Sequence, residues 1–301
     1  MEDLLQWADY QTELGGMFQG KFEEWIQRPE FELLNGKIQL IFTSPPFALN
    51  NKKRYDNHQG EAYKHWLASY APIFRRLLTD SGSLVIEMGN AWEPRLPVMS
   101  TLALEALLDL KRAGDFYLCE QFVVHNPARL PSPAQWVTIN RNRVTDSFTH
   151  IWWLSNTPYP KADNRSVLRP YSKAMLRLLE RGTYNDGKRP SEHVVGAESF
   201  LKNNGGSIPK NVLEFSNTSS SDPYQKYCKE NGILVHPARM NIGIPNFFIK
   251  FLTDSNDIVL DPFAGSNTTG SSAEALGRSW LAFEPVADYV AGSRGRFSGL
   301  D

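Results

Sequence analysis

Apolar positions along the chain fall into two kinds of run. Short unbroken runs bounded by turn residues predict strands at Gln39–Thr43, Ser83–Met88, Phe116–Val124, Phe148–Leu154, Ile258–Leu260 and Trp280–Phe283. Gly15–Gly20 reads as a further short strand leaving a turn. Elsewhere apolar residues recur at helical spacing. Trp66, Leu67, Tyr70, Ile73, Phe74 and Leu77 predict a helix over Ala62–Leu78, and Met99–Lys111 a second one that stops near Gly114. Pro245–Leu252 predicts a third, and Phe22–Gln27 the start of another. Strands alternating with helices of this length predict a mostly parallel sheet covered on both faces.

Between Ser155 and Tyr227 the pattern changes. A helix over Tyr171–Arg181 interrupts a stretch rich in Gly, Asn, Ser, Pro, Lys and Arg, punctuated by Asn203-Asn204-Gly205-Gly206 and Ser219-Ser220-Ser221. So long a structureless loop is unusual inside a compact domain, so this segment is expected to pack or to order on a partner.

Two stretches carry candidate chemistry. The strand Gln39–Thr43 runs into Ser44-Pro45-Pro46-Phe47, where a small hydroxyl, two stiff prolines and an aromatic ring form a rigid rim. A hydroxyl and a carbonyl there accept hydrogen bonds and the ring stacks, which suits a planar amine such as a nucleobase. A strand ending in Ser-Pro-Pro is also an ordinary chain stop. Far downstream, Ile258–Leu260 leads into Asp261-Pro262-Phe263-Ala264-Gly265-Ser266-Asn267-Thr268-Thr269-Gly270, a helical stretch Ser271–Leu276 and a strand closed by Glu284. Small residues let backbone approach a ligand, a helix start offers free N–H groups, and an acid closing the next strand is placed to bind two ribose hydroxyls. The spacing is not Gly-x-Gly-x-x-Gly and no Gly-Lys-Ser/Thr follows, so a nucleoside without phosphates fits better than a dinucleotide or a triphosphate.

The downstream stretch resembles the S-adenosylmethionine loop of amino-directed DNA methyltransferases, and Ser44–Phe47 resembles their catalytic motif. With the catalytic motif first, the order is similar to the permuted beta group of DNA (cytosine-N4) methyltransferases, the PvuII-type modification enzymes above all. The similarity extends through Thr43–Leu49, Leu130-Pro131-Ser132-Pro133, Asn204–Pro209 and His236-Pro237-Ala238-Arg239, nearly the whole chain. It implies an α/β, Rossmann-like methyltransferase fold with circularly permuted motif order. The amino-terminal strand would then lie beside Trp280–Glu284. Residues 1–154 are expected to form the catalytic half, 155–235 the target-recognition region and 236–301 the cofactor-binding half. The implied activity is transfer of a methyl group from S-adenosylmethionine to the N4 amine of a flipped-out cytosine in a specific double-stranded DNA site. Its purpose would be protection from a separately encoded restriction endonuclease.

Roles follow from the resemblance residue by residue. Ser44, Pro45, Pro46 and Phe47 are the candidate catalytic residues, with Glu87, at the end of the next strand, beside Ser44. Glu87 reads equally well as a solvated acid. Asp261, Phe263, Gly265, Asn267, Thr268, Glu284 and His236 are the candidate cofactor residues, although Phe263 suits a core and a His-Pro turn is commonly structural. Serine at position 44, where related enzymes acting on adenine carry an acid, points to cytosine. Carbon-5 chemistry needs a thiolate, and neither Cys119 nor Cys228 stands in a Pro-Cys pair. One position departs from the pattern: Lys21, in Gly20-Lys21-Phe22, replaces the aspartate of a Gly-Asp-Ser that helps hold the adenosine. Glu23 or Glu24 would have to substitute. The competing readings are an adenine-N6 methyltransferase and a DNA-binding protein whose cofactor site has decayed.

Composition supports a polyanion partner. The chain of 301 residues carries a net charge of −1, but residues 125–240 hold 16 Lys and Arg against 9 Asp and Glu, leaving that segment at +7 and the remainder at −8. Lys52, Lys53, Arg54, Arg141, Arg143, Lys188, Arg189, Lys202 and Lys210 are the candidate DNA-binding cations. Two distant cysteines and six histidines without ligand spacing argue against a metal. The same cysteine count, with no apolar amino-terminal segment and no membrane-spanning run, leads us to expect a cytoplasmic protein.

Overall fold

The structure is a computed structural model that describes residues 2–47, 58–184, 187–188, 190, 194–196, 200–216 and 222–300. The chain divides into two compact units, one of residues 1–162 with 211–301 and one of residues 163–210.

In the larger unit, nine strands among the described residues form one sheet: β1 (Tyr10–Gln11), β2 (Gly15–Gln19), β3 (Ile38–Thr43), β4 (Leu78–Met88), β5 (Tyr117–His125), β6 (Phe148–Ser155), β7 (Val212–Glu214), β8 (Ile258–Asp261) and β9 (Ser279–Glu284). Their order is β1-β2-β9-β8-β3-β4-β6-β5-β7. From β2 to β4 all neighbours are parallel, and β7 is parallel to β5. β1 runs antiparallel to β2, and β6 antiparallel to both β4 and β5. The expected circular order is present: Gly15–Gln19 pairs residue for residue with Trp280–Glu284.

Why the central strands are continuous apolar runs is visible in the core. Alternate residues of a strand face opposite sides of the sheet. Ile41, Leu84, Ile86, Leu281 and Phe283 enter one buried cluster. Their neighbours Leu40, Phe42, Val85, Trp280 and Ala282 enter a second. The first cluster is closed by α1 (Glu2–Leu5), α2 (Phe22–Trp25), α3 (Gly60–Ser69), α4 (Ala71–Leu77) and α5 (Leu102–Ala113). Of the later helices, α6 (Pro223–Glu230) packs on the last one, while α7 (Gly243–Leu252), α8 (Thr268–Ala275) and α9 (Ala287–Ser293) close the second cluster. Each fully buried Phe or Leu in these layers contributes about 1.5–3 kcal/mol.

Two expectations are corrected here. The single helix over Ala62–Leu78 is two, because Pro72 lacks the N–H that would bond the carbonyl four residues earlier; α3 ends at Ser69 and α4 restarts with Pro72 in its first turn. The strand expected at Ser83–Met88 begins earlier, at Leu78, and takes in Asp80-Ser81-Gly82 as an irregularity, the register against β3 shifting from Leu78 to Ser83. The second compact unit, residues 163–210, is narrower than the 155–235 segment. Leu213, Tyr224 and Cys228 are fully buried, and they bring β7 and α6 into the larger unit.

The smaller unit holds the helix Lys173–Arg181, capped by the Ser172 hydroxyl on the Met175 N–H and ended by Gly182 in the left-handed region. An isolated bridge joins Arg169 to Ser207, and Gly187–Lys188 pairs with Val194–Val195.

Candidate active site

β3, β4, β8 and β9 are parallel, so their carboxyl ends lie on one rim. That rim opens onto a cavity of about 620 Å³. Ser44, Pro45, Pro46 and Phe47, directly after β3, all line it. Thr43 pairs with Ile86, which brings the next residue of β4, Glu87, level with Ser44. Glu87 lines the same cavity and accepts the Thr149 hydroxyl at 3.0 Å. Burial pushes the Glu87 carboxyl above the usual carboxylate range, against the opposing pull of the Thr149 and Ser44 hydroxyls and the Arg129 charge. Phe47 lies over Gly89, where a Cβ would fall 2.6 Å from its ring, so only glycine leaves the ring in place.

On the cofactor side, Glu284 lines the cavity from the end of β9. Its carboxylate accepts the Gly265 N–H at 3.0 Å and the Val286 N–H at 2.9 Å. A carboxylate has about four lone-pair sites, so two remain for a pair of hydroxyls. Burial raises the Glu284 pKa to about 7, helped by the charge of Asp261 and opposed by the two N–H groups. Gly265 stands at φ +51° in the left-handed region, and a Cβ there would meet the His236 ring at 3.0 Å. His236, Phe263, Gly265 and Thr268 all line the cavity. Burial brings the His236 pKa down to about 4, and the charges of Arg239 and Arg296 act in the same direction, so the ring is neutral at neutral pH.

Asp261 and Asn267 have other primary tasks than those expected. Asp261 lines the cavity, but its oxygens accept the Thr43 hydroxyl at 2.8 Å, the Thr269 hydroxyl at 2.6 Å and the Phe263 N–H at 3.1 Å. It clasps the end of β3 to β8 and α8, and burial raises its pKa to about 6. Asn267 is fully buried and is not among the lining residues. In the left-handed conformation at φ +53°, it caps α8 by accepting the Gly270 N–H and donates to the Tyr10 hydroxyl.

Several lining residues carry no motif. Trp66 and Tyr70 read as core positions of a helix, yet they pack around Phe263 at ring separations of 5.4 and 5.3 Å and form an aromatic wall. The Tyr70 hydroxyl donates to Glu23 at 2.7 Å. Glu23 and Lys21 line the cavity; Glu24 does not. The i, i+4 spacing of Trp66 and Tyr70 was the available signal, and it does not distinguish a core stripe from a cavity wall.

Of the candidate DNA-binding cations, Arg141 and Arg143 are exposed on the larger unit, and Lys202 and Lys210 on the smaller. Lys188 lies in the short strand Gly187–Lys188. Lys52, Lys53, Arg54 and Arg189, like Ser219–Ser221, lie outside the described residues. Among the described residues no cluster of His, Cys, Asp and Glu is arranged to hold a metal ion, and no helix is long and apolar enough to cross a membrane.

Comparison with known proteins finds relatives along nearly the whole chain. A DNA methylase family model, covering N6 and N4 enzymes, matches residues 38–293. The chain is 41% identical over 290 residues to the type II methyltransferase M.PvuII of Proteus hauseri, across 96% of this chain and 85% of that one. It is 24% identical to the type II methyltransferase M.BamHI of Bacillus amyloliquefaciens, across 91% of this chain and 55% of that one. The solved PvuII DNA methyltransferase (cytosine-N4-specific) superposes with a TM-score of 0.75 at 35% identity, covering 96% of this chain and 88% of that one. An M1.HpyAVI–SAM complex, at 18% identity and a TM-score of 0.54 over 95% of this chain and all of that one, shares the fold.

Proposed function

The chain belongs to the N6/N4 DNA methylase family, and we propose that its cavity transfers a methyl group to the N4 amine of cytosine in double-stranded DNA. The chain is an S-adenosylmethionine-dependent methyltransferase of the type II, cytosine-N4 kind. One observation carries the reading: the Ser44–Phe47 rim, Glu87 and the Asp261–Thr268 loop with Glu284 face a single cavity.

The residues fit the cofactor. Glu284 has two acceptor sites left for ribose hydroxyls, the left-handed Gly265 keeps the loop open beneath His236, and Phe263, Trp66 and Tyr70 offer an aromatic, apolar wall to a purine. Glu23, held by Tyr70, supplies the acid that Lys21 displaced from its expected position. When bound, S-adenosylmethionine supplies an electrophilic methyl group. The protein's task is then mostly alignment.

Cytosine N4 is a poor nucleophile because its lone pair is delocalised into the ring. The Ser44 hydroxyl and the Pro45 carbonyl accept its N–H bonds and draw them out of the ring plane. Phe47 stacks on the base, which has to leave the duplex at a cost of a few kcal/mol. Glu87, with its raised pKa, is a stronger base than an ordinary carboxylate and receives the surplus proton through Ser44. Residues 163–210 together with Arg141 and Arg143 are the proposed DNA-contacting parts, and the resulting mark protects against a cognate endonuclease in the cytoplasm.

The test is to methylate DNA with labelled cofactor and digest it to nucleosides. N4-methyldeoxycytidine is expected; N6-methyldeoxyadenosine in its place would assign the adenine reaction. Lys21 alone favours a DNA-binding protein with a decayed site, and that reading requires DNA binding without any cofactor binding.

A further inference from the structure

The connection from β5 to β6 carries Arg141 and Arg143 and, among them, apolar side chains that methyl transfer leaves unused. Leu130 is 81%, Ile139 67% and Val144 85% exposed. With Tyr159 and Ile208 these are the five most exposed large apolar side chains among the described residues, so three of the five sit on one loop. Single exposed apolar residues are ordinary on a surface, whereas a group of them marks a contact. The loop is also bonded to itself. The Asp146 N–H donates to the Ser132 carbonyl at 3.1 Å, and the Asn142 and Arg143 N–H groups donate to the Trp136 carbonyl at 3.0 and 3.3 Å. Its two legs are thereby joined around a π-helical turn, Gln135–Ile139. At its base the Asn126 N–H donates to the Ser147 carbonyl at 2.8 Å. The Asn90 amide, just past the end of β4, donates to the Asp146 carboxylate at 2.9 Å. Pro131 and Pro133 stiffen the first leg, and Pro131 biases Leu130 toward extended backbone.

The root of this loop lies beside the reacting end of the main cavity. Asn126 and Arg129 line a cavity of about 100 Å³ together with Glu87 and Thr149. That cavity adjoins the main one, since Glu87, Arg239 and Met240 line both. Residues 130–147, all of them described, do not line the main cavity, so the apolar group is next to the reacting end and outside it. Charge selects what meets the group. Residues 126–147 hold Arg129, Arg141 and Arg143 against one acid, Asp146, which Asn90 engages. Apolar tips set between arginines match a duplex, which has phosphates outside and stacked bases within. A base that leaves the stack for the main cavity also leaves a gap, and its old partner stands ready to draw it back.

We propose that the loop is a wedge for base extrusion and that Leu130 enters the gap left by the cytosine and holds it open. This rests on the methyl-transfer reading of the cavity. Among the three apolar residues Leu130 is the one that directly follows Arg129, the charge partner of Glu87 and a residue at the edge of the adjoining cavity. Leu130 touches neither the cofactor site nor the reacting atoms; it is a positioning residue, and it acts on the population of extruded base. In the sequence Leu130 is one more apolar residue before a proline, and only its exposure in the folded chain sets it apart.

Two duplexes separate a wedge from other contacts. Both carry the site that the wild-type chain methylates. In one the target cytosine is paired with guanine; in the other it faces an abasic position, so there is no pair to break. Single-turnover methylation by each variant is compared with wild type on the same duplex. Leu130→Ser should be slowed about 10- to 100-fold on the paired duplex and stay within about twofold of wild type on the abasic one. Leu130→Met, which keeps the apolar bulk, should stay within about threefold of wild type on both. The salt slope of duplex binding should not change in Leu130→Ser, because no charge is removed. The side chain is exposed, so neither substitution disturbs the core. Equal slowing on the two duplexes, or no slowing on the paired one, overturns the proposal. So does a change in oligomeric state in Leu130→Ser by sedimentation, which would assign the loop to contacts between copies of the chain. Failure of wild type to methylate any DNA would instead overturn the methyl-transfer reading, and this inference with it.

Discussion

Glu284 offers its two free acceptor sites only when ionised, and its pKa of about 7 places that change at neutral pH. Cofactor affinity is therefore expected to rise with pH through about 7, and Glu284→Gln, which cannot ionise, should flatten the profile and weaken binding by about 10- to 100-fold. Titration of the cofactor at a series of pH values decides this; a parallel profile in both proteins would move the ribose contact elsewhere. Stability runs the other way in the ligand-free protein. The folded carboxyl holds its proton up to about 7 against 4.5 for an ordinary glutamate, so the folded state binds more protons in that window and loses stability as pH rises through it. Ser44 belongs to the other half of the reaction. Ser44→Ala should slow single-turnover methyl transfer by about 10²- to 10³-fold and leave the cofactor dissociation constant within about twofold. Equal loss in both measurements would show that the hydroxyl supports the cavity rather than the amine.

Between elements, Asp261 is the joint. Its carboxylate ties the last residue of β3, Thr43, to Thr269 on α8, so the strand that presents Ser44 and the helix that follows the cofactor loop are held by one buried acid. Thr43→Val removes one of those donors and should lower unfolding free energy by about 1–3 kcal/mol, read by chemical denaturation. It should also slow methyl transfer more than it weakens cofactor binding, since the freed end is the catalytic one; loss of cofactor binding alone would put the joint on the other side. This joint was not legible in the sequence. The strands were, because a run such as Leu40-Ile41-Phe42, buried on both faces, has to be apolar. So was the coupling of two motifs far apart in the chain, because together, in this order, they resemble the catalytic and cofactor motifs of one family, although Ser-Pro-Pro alone is an ordinary chain stop. Motif position alone does not give side-chain direction: Asp261 lines the cavity while bonding its neighbours, and Asn267 turns inward to cap α8. Trp66 and Tyr70 were missed for the reverse reason: helical spacing identifies a covered face but not what covers it.

For the whole molecule, the uneven charge is the property with a consequence in solution. Residues 125–240 carry +7 against −8 elsewhere, yet that segment is shared between the two compact units, since β7 and α6 belong to the larger one. Charge along the sequence therefore does not outline a compact unit; burial of apolar residues such as Leu213 and Tyr224 places their segments in the larger one. What the charge does set is the response to salt. Each phosphate contact that is lost lowers the slope of log affinity against log salt by about 0.9. Arg141→Ala with Arg143→Ala in the larger unit, and Lys202→Ala with Lys210→Ala in the smaller, should each reduce the slope by about 1 to 2 in duplex titrations over a range of salt. The sequence preference of methylation should stay the same, because phosphate contacts position the protein without reading bases. A pair whose loss relaxes the site while the slope holds is reading base edges instead, and would locate recognition in its own unit. A pair that changes neither quantity lies off the DNA path.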